Sequence, residues 1–440
     1  MHTNTSGNDQ RFLRQLGEME MRMALFHEKL NGSTQGVQVI YFNGDITAEL
    51  FRNIASHIHA HYQALQCKIE QRDDTLWFSE GVNLDQIEIS YCETMTSESL
   101  DTFIHNAVDT PIDANKSLWR LQLVKCLDSN QNALILSAHH SIIDANGMHE
   151  IGNVFFLSAA HYLAENTLPE LTHYPLQKPI DDLLHDGTPP FATPSAYQQP
   201  HDGPCPIKYR KTHWQTLVIS KEENSKFTER CQQDKLKPHS VISAALCQAL
   251  ADAGLAHAPF VFGTAVSLRF LQDSNPEYQH PLGCYMAIAS NMLEPEKMDL
   301  NALAEHYNRE LMQHIMLGCL KKLPSNLSAL NQGINVMQNN IAFTQGAGIT
   351  NMAEVGIQTR YGDLIINDYR MLANRVSANF SMVAHCYEFN GSQIIGLVYP
   401  SPCLSDATAV TVKTSLRERL LSYADGINLT QNEEAAVTAG

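Results

Sequence analysis

Apolar positions change period several times along this chain, and each change marks an element. Phe12, Leu13, Leu16, Met19, Met23 and Phe26 fall on one side of a helical repeat, which predicts an opening helix. Val37, Val39 and Tyr41 alternate with their neighbours, which predicts a strand over 36–42. Asn43-Gly44-Asp45 then turns the chain, with Asp45 as the cap of a helix running to His61. Short strands follow over 74–79, 86–91 and 118–126, with a helix over 97–109. The run 132–138 is dominated by the continuous apolar segment Ala133–Leu136, the pattern of a strand covered on both faces. A polar turn, Ser137 to Gly147, separates it from a helix over 147–163.

The character changes over 165–207. Prolines and polar residues crowd this stretch, notably Gly187-Thr188-Pro189-Pro190 and His201-Asp202-Gly203-Pro204, so it is predicted to be a linker with a short helix at Ile180–Leu184. Beyond it lie a strand (212–219), helices over 220–233 and 239–252, strands over 259–268 and 284–291, and helices over 299–317 and 326–338. A strand-like stretch over 341–350 precedes a hairpin, 378–388 and 393–399, turning at Asn390-Gly391. The last helix covers 405–423. The expected organisation is an N-terminal α/β half over 10–180, a linker over 181–207, a C-terminal α/β half over 208–423 and a loose tail over 424–440. Residues 1–9 are expected to be disordered.

With 440 residues and 44% apolar content the chain can bury large cores. Its formal charge of −17 and its lack of a basic patch argue against nucleic acid as a partner. No stretch is long and apolar enough to read as a transmembrane segment, and no secretory signal opens the chain, so the expected location is the cytoplasm. None of the ten cysteines stands in a Cys-x-x-Cys pair, and no complete metal ligand set is visible.

The polar turn carries the candidate chemistry. His140 follows a buried strand and precedes a helix, a rigid place with access to a cleft. An imidazole exchanges protons near neutral pH, as a base for acyl transfer must. No Gly-x-Ser-x-Gly elbow supplies a covalent nucleophile, so the reaction expected is direct attack in a ternary complex. The same residues also fit an ordinary loop in which Asp144 simply caps the next helix.

His139-His140-Ser-Ile-Ile-Asp144-Ala145 resembles the His-His-x-x-x-Asp-Gly motif of the coenzyme-A-dependent acyltransferase superfamily, which includes condensation domains, polyketide-associated diacyltransferases and alcohol acyltransferases. Further pieces resemble the family in the same order: Leu16–Glu20, His61–Leu65, Pro111–Asp113, Leu118–Arg120, Val266–Arg269 with Leu282-Gly283, Thr350–Met352 and Tyr399–Leu404. Departures are Ala145 and Ala353 for glycine, Gln66 for arginine, and the lack of the Asp-Phe-Gly-Trp-Gly motif of plant members.

The resemblance implies two similar chloramphenicol-acetyltransferase-like halves, each with a mixed sheet, a crossover from the second half that completes the first half's sheet, and a channel between them entered by donor and acceptor from opposite faces. The donor implied is an acyl-CoA or an acyl-carrier-protein thioester, with no tightly bound cofactor. The acceptor is an alcohol, with an amine as the alternative; a binding protein that kept the fold without turnover is the other reading. His140 takes the role of general base. Asp144 is implied to pair with Arg269 and hold the loop, and His139 to shape it, although Arg269 equally fits a surface arginine. Gly147 fits a position of close backbone approach, or simply a glycine at a helix start. Amides near Gly147, together with Asn351, are the candidate oxyanion donors, although Asn351 also fits a turn residue bonding its own backbone. Lys208, Arg210, Lys211, Lys235 and Lys237 are the cations available for coenzyme A, and they read better as solvent-facing charges.

Overall fold

The structure is a computed structural model that describes residues 11–94, 96–129, 131–187, 202–256, 260–322, 327–339, 343, 345–377 and 380–427. The expectations for residues 1–9 and for the tail from Asn428, and residues 188–201 of the proline-rich stretch, lie outside these residues.

Asn132–Ala138 is buried at every position because both faces of its sheet are covered. This mixed sheet has six strands, in the order Arg360–Tyr361, Leu364–Ala373, Gly36–Asn43, Asn132–Ala138, Trp119–Cys126 and Ile89–Thr94. On one face Ile40, Phe42, Leu134 and Leu136 share a core with Phe51 and Ile54 of the helix Ala48–His61 and with Ile151 and Phe155 of the helix Ala145–Glu165. On the other, Val37, Val39, Ala133 and Ile135 pack against Leu100, Ile104 and Val108 of the helix Ser97–Asp109. A strand with helices on both sides has no solvent-facing side, hence its continuous apolar centre, Ala133–Leu136.

The second sheet also has six strands, ordered Met286–Leu293, Phe260–Ser267, Gln345–Glu354, Phe380–Phe389, Ser392–Ser401 and Lys211–Ile219. Its three inner pairings around Gln345–Glu354 and Phe380–Phe389 mix parallel and antiparallel ladders. Helices Lys221–Gln233, Pro238–Asp252, Leu300–His314 and Asp406–Ala424 supply its core with Phe227, Leu246, Leu303 and Leu416.

One strand ties the halves together. Leu364–Ala373 leaves the second half and pairs antiparallel with Gly36–Asn43 of the first. Tyr369 at its centre is fully buried; its hydroxyl accepts from Gln38 Nε2 at 3.3 Å, and its carbonyl accepts from the Tyr387 hydroxyl at 2.9 Å.

Several local expectations need correction. Phe12 and Leu13 belong to a strand, Phe12–Gln15, paired with Thr75–Glu80, and the helix starts only at Glu18. Gly17 halts the strand, and the Glu20 carboxylate accepts from its backbone N–H at 2.7 Å. The cap of Ala48–His61 is Thr47, whose hydroxyl accepts from Leu50 N, while Asp45 pairs with Lys125 at 2.7 Å. The strand expected over 86–91 runs Ile89–Thr94, and a strand at Cys67–Arg72 was not foreseen. The strand expected over 341–350 is Gln345–Glu354.

Tyr369→Ala removes the largest side chain of the crossover strand. It is expected to lower the unfolding free energy by about 3–5 kcal/mol in urea titrations, as for other buried aromatic truncations. A loss below about 1 kcal/mol would mean that this strand does not hold the halves together.

Candidate active site

The turn after Asn132–Ala138 places two adjacent histidines in different surroundings. His139 is fully buried, its ring 4.5 Å from that of His27. The Ser141 N–H donates to His139 Nδ1 at 3.1 Å, and the Ser141 hydroxyl lies 2.7 Å from the same atom. Nδ1 therefore accepts, and the ring proton sits on Nε2. Burial, aided by the neighbouring rings of His27 and His140, pushes its pKa well below the usual histidine value. His139 is a neutral packing residue and does not line the cavity.

His140 faces a cavity of about 340 Å³ between the halves. Met23, Ala145 and Asn146 line it from the first half, and Ile288, Ile349 and Met352 from the second. Burial holds the His140 imidazole below its ordinary pKa; Asp144 opposes the shift and Arg375 adds to it. The imidazole is therefore neutral near pH 7, as a base must be. Cys284 Sγ lies 4.0 Å from His140 Nδ1, but burial pushes that thiol well above its usual pKa, and it does not line the cavity. A thiolate nucleophile is not prepared there.

Asp144 does two jobs four residues further on. As cap of Ala145–Glu165, its Oδ1 accepts from Gly147 N at 2.9 Å. The same oxygen accepts from Arg269 Nη2 at 2.7 Å, and Oδ2 accepts from Arg269 Nε at 2.8 Å. Arg269 also donates to the carbonyls of His280 (3.2 Å) and Pro281 (2.8 Å), and its guanidinium lies over the Tyr285 ring. One carboxylate thus joins the helix that follows His140 to a loop of the other half. Gly147 is needed at this junction: a Cβ there would stand 2.7 Å from Ile143 Cγ1 and 3.2 Å from the Pro281 carbonyl. Its own amide donates to Asp144, so of the amides expected near Gly147 to serve an oxyanion this one is already engaged.

Asn351 lines the cavity from the strand Gln345–Glu354. Its Oδ1 accepts from Ala353 N at 3.1 Å, the turn contact that the sequence also allowed. Because that oxygen is held by a backbone donor, the amide NH2 is left as the limb that can turn to a ligand. Ala353 has φ 53°, the left-handed region in which glycine is most at ease, so the glycine missing from the sequence is missing where the backbone favours one.

Two cavity residues carry no signal in the sequence pattern. Arg375 follows the crossover strand, and His385 sits on Phe380–Phe389; both line the chamber with His140. Of the cations considered for coenzyme A, Arg210 is buried, with Nε donating to the Cys205 carbonyl at 2.8 Å. It is a structural arginine, not a solvent-facing charge.

No protein-family model matches the chain, and no curated protein is significantly similar to it in sequence. Solved structures are similar in shape. The trichothecene 15-O-acetyltransferase of Fusarium sporotrichioides has a TM-score of 0.70 at 11% identity, covering 96% of this chain and 97% of its own. The starter condensation domain of rhizomide synthetase, solved in complex with C8-CoA, has a TM-score of 0.67 at 14% identity, covering 95% and 96%. This chain has the fold of condensation domains. The epimerization domain of the third module of tyrocidine synthetase B also has this fold, with a TM-score of 0.66 at 15% identity and coverage of 95% and 98%. The condensation-domain fold therefore hosts more than one reaction, and chemistry must be argued from the cavity. Among the described residues no helix is long and apolar enough to cross a membrane.

Arg269→Ala leaves the Asp144 carboxylate without its cation in a largely buried place. It is expected to destabilise the protein by about 3 kcal/mol in thermal or urea unfolding. A change within about 0.5 kcal/mol would show the pair to be no stronger than a surface contact.

Proposed function

We propose that the protein transfers an acyl group from a coenzyme A or carrier-protein thioester to an alcohol, with His140 as general base. The observation that carries this reading is that His140 alone of the paired histidines lines the cavity between the halves. It is neutral there, and its loop is held by the Asp144–Arg269 pair. The C8-CoA bound to the rhizomide starter condensation domain supports a thioester donor, and the trichothecene acetyltransferase supports an alcohol acceptor.

In the proposed step the acceptor hydroxyl gives its proton to His140 Nε2, the ring nitrogen away from Cys284, as its oxygen attacks the thioester carbonyl. A carbon–oxygen bond forms and the carbonyl becomes an oxyanion. The Asn351 amide NH2 is the donor we assign to that charge. Collapse breaks the carbon–sulfur bond, and the proton on His140 passes to the departing thiolate. No acyl-enzyme forms. Asp144 acts as a positioning residue through its pair with Arg269, as does His139 through its packing, and Gly147 admits the loop that carries Arg269.

The test is release of free thiol by the purified protein with a panel of acyl-CoAs and acceptors, both alcohols and amines. His140→Ala is expected to lower kcat/KM by about 10²–10⁴-fold with the fold retained. Because burial lowers the His140 pKa, the base stays deprotonated further into acid. The acid limb of kcat/KM is therefore expected to have its midpoint below about pH 6.5. Unchanged release in His140→Ala, or a midpoint above the ordinary histidine value, contradicts the assignment.

A further inference from the structure

We infer that Arg375 and His385 form a subsite for a carboxylate carried by one of the substrates. The inference rests on reading the cavity as a substrate chamber and adds the charge of what enters it.

The guanidinium of Arg375 lines the chamber without an anion. Its backbone N–H donates to Thr212 Oγ1 at 3.0 Å, and its guanidinium carbon stands 5.8 Å from the centre of the Phe380 ring. Among the described residues no carboxylate lies within ion-pair distance of it and no acceptor takes a bond from its side chain. The other deeply placed arginines are matched. Arg14 meets Glu20, Arg269 meets Asp144, Arg120 donates to the Thr110 carbonyl, and Arg210 donates to the Cys205 carbonyl. Burial brings the Arg375 pKa down to about 10, so the group remains charged at neutral pH.

His385 supplies an independent observation. It is 6% exposed and lines the same chamber, and among the described residues neither of its ring nitrogens has a hydrogen-bond partner. Burial, with Arg375 and His140 adding to it, pushes its pKa down to about 3, so the ring is neutral. A neutral imidazole offers one N–H and one lone pair. Buried polar groups are ordinarily satisfied, and among the described residues the two His385 nitrogens are not.

The surroundings choose the anion. Ile288, Ile349, Met352, Phe380 and Val383 give the chamber apolar walls. Asp144 is already neutralised by Arg269, which leaves Arg375 as the charge to be met. One guanidinium matches one carboxylate through two parallel N–H···O bonds. A phosphate dianion would bring a second charge into apolar walls without compensation. The carboxylate belongs either to the acceptor, as in a hydroxy acid, or to the far end of a dicarboxylic acyl group.

Matched probes separate these sources. In one arm, binding of 3-hydroxybutyrate is compared with that of its methyl ester; in the other, succinyl-CoA is compared with butyryl-CoA. Calorimetry on the full chain gives the dissociation constants for wild type, Arg375→Gln, Arg375→Lys and His140→Ala. In one arm the acid is expected to bind about tenfold or more tightly than its neutral match. Arg375→Gln is expected to erase that preference while leaving the neutral probe's affinity within about twofold, which also reports that the chamber is intact, and Arg375→Lys to keep part of it. A neutral probe that binds as well as its acid in both arms of the wild type overturns the inference, as does a preference that survives in Arg375→Gln. His140→Ala should retain the preference. An acid preference without thiol release from any donor would leave this subsite standing and remove the transferase reading.

Discussion

A single carboxylate holds the functional region together. Asp144 caps the helix that follows His140 and makes a two-point ion pair with Arg269, which in turn binds two carbonyls of a loop in the other half. Charge-assisted, two-point bonds fix orientation as well as distance. The turn that carries His140 is thereby tied at its far end to the opposite wall of the cavity. Closeness follows from the same junction, since Gly147 offers no side chain to keep the Pro281 loop away.

The cavity exists because two sheets meet but do not merge. Leu364–Ala373 extends the first sheet with residues from the second half, and Tyr387, Phe389 and Ile394 of the second half join the first core. Covalent continuity and shared packing fix how the halves stand to each other. Between them, residues from both line one chamber, so a ligand there touches elements that are far apart in the chain. The base we propose, His140, lies on one wall and the Asn351 amide on the other, an arrangement that suits a reaction whose charge develops between them.

Much of this was legible in the chain. The continuous apolar segment within 132–138 marked a strand covered on both faces, and the turn after it marked the candidate base. Legibility failed where local geometry breaks a period. The resemblance implies a crossover, but its residues could not be placed because the strand's register slips between Ile366 and Asp368, which shifts the buried side part-way along. Gln345–Glu354 reads poorly because Gly346 and Gly348 stand in it. A Cβ on Gly346 would meet the Phe260 ring at 2.2 Å, so packing, not propensity, selects that residue. The two histidines of the turn look alike in sequence and differ only in what surrounds them. Arg375 was invisible for a related reason: whether a cation has an anion beside it is a property of the folded chain alone.

The most direct test of the central claim is a crystal structure of the protein with a non-hydrolysable thioether analogue of an acyl-CoA. The account predicts that the chain enters the cavity between the sheets, with the carbon that stands for the thioester carbonyl roughly 3–4 Å from the His140 ring or one acceptor molecule away from it. An analogue bound elsewhere on the surface, or lying in the cavity with that carbon out of reach of His140, would contradict it.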